Sequence, residues 1–354
     1  MAKHSIVLLK NENDILPLNK IQKIALVGPL AADENHIIGN WAAAGDRGGV
    51  AVSIKEAFEE RNINFTYAKG CELLGDSDEG FAEAIRVAKE SDVILMVMGE
   101  PENMSGEATS RTEIDLPGNQ RDFMEAMLVT GKPVVLILMN GRPLTLEWEH
   151  KNVPAILETW FTGTMGGPAI ADVVFGDHNP SGRLTISFPR RVGQLPLYYN
   201  YKNTGRPQND AVEAKYRSKY IDVPNTPLYP FGYGLSYTDF TFGKVELSSS
   251  VLLSDGSIDV SVDVTNSGSL DGYEVVQLYI HDKVASITRP LKELKGFKKV
   301  WLEAGQTQKV TITITPEDLK FWDQSMNFVF EPGEFGVYVG HDSRTKNKTT
   351  FELK

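Results

Sequence analysis

The side chains best placed to do chemistry lie in one stretch, VILMVMGEPENMSGEATSRTEIDLPGNQ, residues 93–120. It opens on an apolar, β-branched run at 93–98, short enough to be a buried strand. A polar loop of about twenty residues follows, and a helical pattern (QRDFMEAMLVTG) resumes near Gln120. The loop holds five carboxylates, Glu100, Glu102, Glu107, Glu113 and Asp115, and one arginine, Arg111. Carboxyls on a loop suit proton transfer. Glu107 is the foremost candidate, because it sits mid-loop between Gly106 and Ala108, where nothing bulky keeps a ligand away. Arg111, four residues on, could orient Glu107 or bind a substrate hydroxyl. Glu113 and Asp115, near the return into the helix, suit capping or an ion pair. Glu100 directly follows the strand, and could be a structural acceptor or face the site. The competing reading is a solvated acidic surface loop.

The elements that must position this loop alternate between strand and helix from residue 23 to about 177. Strands are expected at 24–27, 63–67, 93–98, 134–139 and 153–160, and helices at 52–61, 81–91, 120–130 and 166–175. VVLILM at 134–139 is apolar throughout, as a strand covered on both faces must be. The alternation predicts a doubly wound αβα sandwich with a mostly parallel sheet. Ligands of such sheets bind outside the carboxyl ends of the strands, where this loop falls.

The loop after the first strand carries Gly28-Pro29 and no G-x-G-x-x-G, so a dinucleotide fingerprint is absent. The turn Gly45-Asp46-Arg47-Gly48-Gly49 could take an anion, a weak signal. Trp41 reads as a buried anchor or as an aromatic platform for a ligand, with the anchor slightly ahead. The opening residues 2–9 look like the end of a helix that has lost its beginning.

From Pro180 to Tyr237 periodicity gives way to Pro, Gly, Asn and Tyr. That many tyrosines need cover, so this is a linker laid over a surface rather than a free tether. From Phe240 the period becomes two, with strands expected at 258–265, 274–281, 310–315, 327–330 and 336–340. Short alternating strands joined by turns, with no cysteine pair, predict a fibronectin type III-like β-sandwich. The expected domains are a connecting segment at 1–22, the αβα sandwich at 23–190, an aromatic-rich linker at 191–238 and the β-sandwich at 239–354.

Composition narrows the chemistry further. A chain of 354 residues with 41 % hydrophobic and 23 % charged residues has the make-up of a globular protein of two or three domains. A net charge of −11 with no basic stripe argues against nucleic acid and anionic membranes as partners. No run of 18 apolar residues appears, and the start lacks the apolar core and cleavage site of a signal peptide. Cys71 is the single cysteine, read as a packing residue. His281 and His341, at strand ends, read as surface residues. The six histidines are scattered, with no H-E-x-x-H and no G-x-S-x-G elbow, so neither a metal site, another cofactor nor a serine nucleophile is expected.

Taken in order, SIVLLKNENDILPL, IALVGPLA, MGEPENMSGEATSRTEIDLPGNQ, GKPVVLILMNGRPL, ETWFTGTMGGPAIADVVFGDHNPSGRLTISFP and PLYPFGYGLSYTDF resemble glycoside hydrolase family 3. The likeness is to its bacterial β-glucosidase branch, and it runs through essentially the whole chain. NPSGRLTISFP together with YPFGYGLSYT is a highly specific combination. The family typically has a (β/α)8 barrel, then a six-stranded αβα sandwich, then often a fibronectin type III-like domain. This chain matches the second and third parts, and its first residues correspond to the helix joining barrel to sandwich. The resemblance implies that Glu107, in MSGEATSR, is the general acid/base, and that Arg111 and the Trp41 loop lie near the sugar pocket. The nucleophilic aspartate would come from a barrel domain or chain, a retaining glycosidase needing two carboxyls. The chain is then expected to be the C-terminal part or subunit of a β-glucosidase, inactive alone. The alternative is a non-catalytic carbohydrate-binding or scaffolding module. Assembly as a hetero- or homo-oligomer, the sugar and the compartment stay open.

Overall fold

The computed structural model describes residues 1–42, 49–206 and 215–354. The chain divides into two compact units. The first takes in residues 1–183, 188–193 and 234–237. It runs α1 (Ala2–Ser5), β1 (Val7–Asn11), β2 (Ile24–Val27), α2 (Ile54–Glu60), β3 (Phe65–Ala68), α3 (Phe81–Lys89), β4 (Val93–Gly99), α4 (Gln120–Leu128), β5 (Val134–Met139), α5 (Glu147–Asn152), β6 (Ala155–Glu158) and α6 (Gly166–Val174). The six strands form one sheet in the order β1-β6-β5-β4-β2-β3, parallel except for β1.

β2, β4, β5 and β6 are buried at every position, as the apolar runs require when both faces are covered. Val93, Leu95 and Val97 of β4 share one cluster with Phe58 of α2 and Ile170 of α6. The intervening Ile94, Met96 and Met98 fall outside that cluster, on the opposite face by strand alternation. α3 and α4 meet through Phe81 and Phe123, ring centroids 5.0 Å apart. Helix α2 begins on a capping box: the Ser53 hydroxyl accepts from Glu56 N at 3.2 Å while Glu56 accepts from Ser53 N at 2.8 Å.

Two sequence expectations need correction. Residues 2–9 are not a helix end: α1 is a single turn, and β1 pairs antiparallel with β6. The reason is burial, since Ile6, Val7, Leu8 and Leu9 are all inside, which a strand covered on both faces allows. The outer edge of β1 is closed by a bridge from Leu8 to Leu235. Helix α5 was not expected, because its six residues bury Glu147 and Glu149 rather than an apolar face.

The second unit comprises residues 184–187, 194–233 and 238–354. Its strands are β7 (Phe240–Phe242), β8 (Glu246–Leu247), β9 (Val251–Leu252), β10 (Ile258–Asn266), β11 (Gly272–Asp282), β12 (Glu293–Leu302), β13 (Thr307–Ile314), β14 (Phe321–Trp322), β15 (Phe328–Val329), β16 (Gly333–Gly340) and β17 (Lys348–Leu353). One sheet has the order β13-β10-β7 with β8 beside β10, the other β12-β11-β16-β17-β9, and β14 pairs with β15. Val260 and Val262 of the first sheet and Val276, Leu278 and Val337 of the second share one core, making a β-sandwich. β12 escaped the sequence reading because its lysines mask the alternation. His341 sits 3.4 Å from buried Glu274 and edge-on to Phe242, so it is a packed residue as much as a surface one.

Cover for the tyrosines of the aromatic stretch is only partial: Tyr199, Tyr229, Tyr233 and Tyr237 are buried or half-buried, whereas Tyr198, Tyr201, Tyr216 and Tyr220 are exposed. Tyr237 donates its hydroxyl to Val173 O at 2.9 Å in the first unit, and Tyr199 stacks on Phe231 at 4.1 Å in the second. Among the described residues no helix is long and apolar enough to cross a membrane.

Candidate active site

In the first sheet, β2 is followed by β3 on one side, whereas β4, β5 and β6 build away on the other. The order therefore reverses between β2 and β4, and the loops after these two strands leave side by side. The two strands approach closely there. A Cβ on Gly28, at φ +109°, would lie 2.2 Å from Val97 O.

The loop over residues 101–119 is tied at its base, its limbs and its tip. At the base, Gly99 N donates to Gln120 Oε1 and Gln120 Nε2 donates to Gly99 O, both at 2.9 Å. Along the limbs, Glu100 Oε1 receives Arg111 Nη1 at 2.6 Å and lies 3.1 Å from Arg142 Nε. Arg111 also donates to Asp115 O at 3.1 Å, Arg142 donates to Met104 O, and Asp115 accepts from the Thr145 hydroxyl. At the tip, Gly106 and Thr109 form an isolated antiparallel bridge, with Thr109 N donating to Gly106 O at 3.3 Å. Glu107 and Ala108 are the two central residues of that turn, and Ala108 takes φ +56°. A non-glycine residue there costs about 1 kcal/mol, strain of the kind that gathers at functional sites.

The loop after β2 braces the same tip. A Cβ on Gly106, which holds φ +154°, would fall 2.1 Å from Asn40 Nδ2, so the two loops meet closely at this point. His36 Nδ1 contacts the Glu102 carboxylate, with Asp33 4.0 Å from its other nitrogen.

Of the residues singled out from sequence, Glu107 is exposed at the turn tip. Arg111 does pair with a carboxylate, but that carboxylate is Glu100, and its guanidinium is largely buried. Trp41 is 77 % exposed, which overturns the buried-anchor reading and leaves an aromatic surface next to Asn40. Among the described residues Asp115 neither caps α4 nor pairs with a cation through its side chain; it takes the Thr145 hydroxyl. Glu113 is exposed. The candidate anion turn lies, except for Gly49, outside the described residues.

Sequence reasoning missed the polar layer beneath the loop. Asn140, after β5, donates to Arg142 O at 2.8 Å and to Glu158 Oε2 at 3.1 Å. Glu158, ending β6, also accepts from Trp160 N at 3.0 Å. Burial pushes the Glu158 carboxyl up to about 8, helped by the charge on Glu100 and opposed by the Trp160 and Asn140 bonds. Trp160 holds φ +58°, an outlier for so bulky a residue. A signal existed: Glu100, Asn140 and Glu158 each stand at a strand's carboxyl end, in MGEP, MNGRP and LETW. Among the described residues no three His, Cys, Asp or Glu side chains cluster as metal ligands.

An exposed carboxyl on a braced turn at a sheet's switch point can exchange a proton with a ligand brought against it. Residues 6–237 match the family model for the glycosyl hydrolase family 3 C-terminal domain. The chain belongs to glycosyl hydrolase family 3. Residues 274–343 match a fibronectin type III-like domain, as found in the second unit. Among family 3 relatives, the chain is 47 % identical to a periplasmic beta-glucosidase of Salmonella typhimurium, the match covering all of this chain and 49 % of that protein. It is 40 % identical to a beta-xylosidase of Formosa agariphila over the same shares. Its fold is similar to the crystal structure of a beta-glucosidase from Listeria innocua in complex with isofagomine, at TM-score 0.94 and 38 % identity. That match covers 99 % of this chain and 49 % of the other. The chain thus spans about half the length of the curated family 3 relatives it matches.

Proposed function

We propose that this chain is the C-terminal part of a retaining β-glucosidase and supplies Glu107 as general acid/base. The nucleophilic aspartate comes from a (β/α)8 barrel domain or chain. The observation that carries this reading is the exposed Glu107 at the tip of a turn braced by Asn40 and tied at both limbs. It is supported by the beta-glucosidase relatives, of which the chain covers about half.

In the first half-reaction the Glu107 carboxyl gives its proton to the glycosidic oxygen as the barrel aspartate bonds to the anomeric carbon. In the second, ionised Glu107 takes a proton from water as that water attacks the same carbon and releases the aspartate. The two carboxyls must stand about 5–5.5 Å apart. Docking of barrel and sugar would strip water from Glu107 and raise its pKa toward that of a working acid. Trp41 would offer its exposed ring to the sugar, and Arg111 would border the pocket. Alone, the chain hydrolyses no glycoside.

The test is light scattering and chromatography of the chain alone and mixed with a family 3 barrel, each peak assayed on aryl β-glucosides. A complex that alone is active, and in which Glu107→Gln lowers kcat/KM on phenyl β-glucoside about 10²–10⁴-fold, is expected. The loss should be far smaller on the 2,4-dinitrophenyl glycoside, whose leaving group needs no proton. Activity of the chain by itself would sink the reading. A monodisperse chain that ignores the barrel but binds sugar would replace it with a carbohydrate-binding module.

A further inference from the structure

We infer that Glu100 is a positioning residue of this site: one buried carboxylate holds both limbs of the Glu107 loop through Arg111 and Arg142. The inference rests on the reading of Glu107 as acid/base and goes beyond it. Glu100 is fully buried, and its N–H donates to Met139 O at 2.9 Å, so it is an extension of the sheet rather than part of the loop. Its Oε1 takes Arg111 at 2.6 Å, two residues past the Gly106–Thr109 turn. The same oxygen lies 3.1 Å from Arg142, whose other nitrogen donates to Met104 O, two residues before the turn. The bridged turn is thus tied on both sides to one atom of a rigid strand. Arg142 is itself fixed, because Asn140 donates to its carbonyl at 2.8 Å and to Glu158 at 3.1 Å.

Stability alone does not account for this arrangement. Buried ion pairs seldom stabilise a fold over apolar side chains of the same size, since desolvating the charges offsets their attraction. Glu100 moreover leaves Oε2 buried with no hydrogen-bond partner among the described residues. What the arrangement does secure is geometry. A catalytic group displaced by about 1 Å can lose about 100-fold in rate.

The test pairs Glu100→Gln with Arg111→Lys, which keeps the charge but cannot hold both Glu100 and Asp115 O. On the chain alone, amide exchange across residues 101–115 should quicken about tenfold in both variants, while β4 and β5 stay unchanged. In the assembly with the barrel, kcat/KM on phenyl β-glucoside should fall about 100-fold and on the 2,4-dinitrophenyl glycoside less than about tenfold. Unchanged loop exchange, or equal losses on both substrates, would overturn the inference. Should Glu100→Gln not fold, Arg111→Lys decides the matter. If Glu107→Gln shows no leaving-group dependence, the acid/base reading and with it the positioning role fail, while loop exchange still reports whether the tether exists.

Discussion

Gln120 and Gly99 bond to each other in both directions, each contact 2.9 Å, so the two ends of the candidate catalytic loop are closed by one side chain. Gln120 is fully buried at the first position of α4 and also donates to Leu73 O at 3.0 Å. The loop's excursion therefore runs between two points joined to each other, the end of β4 and the start of α4. Replacing Gln120 by Ala leaves the Gly99 N–H and C=O buried without this partner. We expect a loss of about 2–4 kcal/mol, read as a lower urea midpoint of the first unit.

Glu158 makes stability depend on pH. Its carboxyl is pushed from 4.5 up to about 8, chiefly by burial. A raised acid holds its proton in the folded state after the unfolded chain has lost it, so this contribution is complete below about pH 4.5. It is lost as pH rises toward about 8 and is constant beyond, with a slope of at most about 1.4 kcal/mol per pH unit. Buried Glu149, also raised, adds slope of the same sign. The informative quantity is thus the difference between wild type and Glu158→Gln. Urea midpoints of the variant should fall less between pH 5 and 8; identical slopes would contradict this account.

Cys71 is buried, and burial with the neighbouring Glu72 charge pushes its thiol up to about 12. At pH 8 on the order of one thiol in ten thousand is ionised, and the thiolate is the nucleophile. Alkylation by iodoacetamide should be at least about 100-fold slower in the folded chain than in urea. Rapid modification of the native protein would show that the segment opens.

Gly28→Ala tests the close approach of β2 and β4. The new Cβ would sit 2.2 Å from Val97 O and 2.8 Å from Val97 N, and φ is +109°. Strand backbone in the middle of a sheet cannot yield as a side chain would. A destabilisation of about 4 kcal/mol is expected, measured by thermal or urea unfolding. A loss below about 1 kcal/mol would mean the strands can part.

Much of the fold was legible in the residues because burial on two faces and on one face leave different patterns. VVLILM and VILMVM read as covered strands by their length, their β-branched residues and the turns that flank them, and IDVSVDVT as a half-buried one by its alternation. The strand at β1 was misread because a short apolar run carries no period of its own, and partners remote in sequence, β6 and Leu235, determine its conformation. α5 was missed because its buried face is acidic and depends on Arg121, Arg190 and Arg191 for cover.

The candidate site divides in the same way. Local sequence offers Glu107 as a candidate, a carboxyl between small residues in the middle of a loop that follows a buried strand. Which arginine holds which carboxylate, that Trp41 is exposed, and that Glu158 keeps its proton near neutral pH were decided by the tertiary structure alone. Composition and spacing say what a side chain can do. Its partners and its share of water come from segments far along the chain, and those determine its charge and its place.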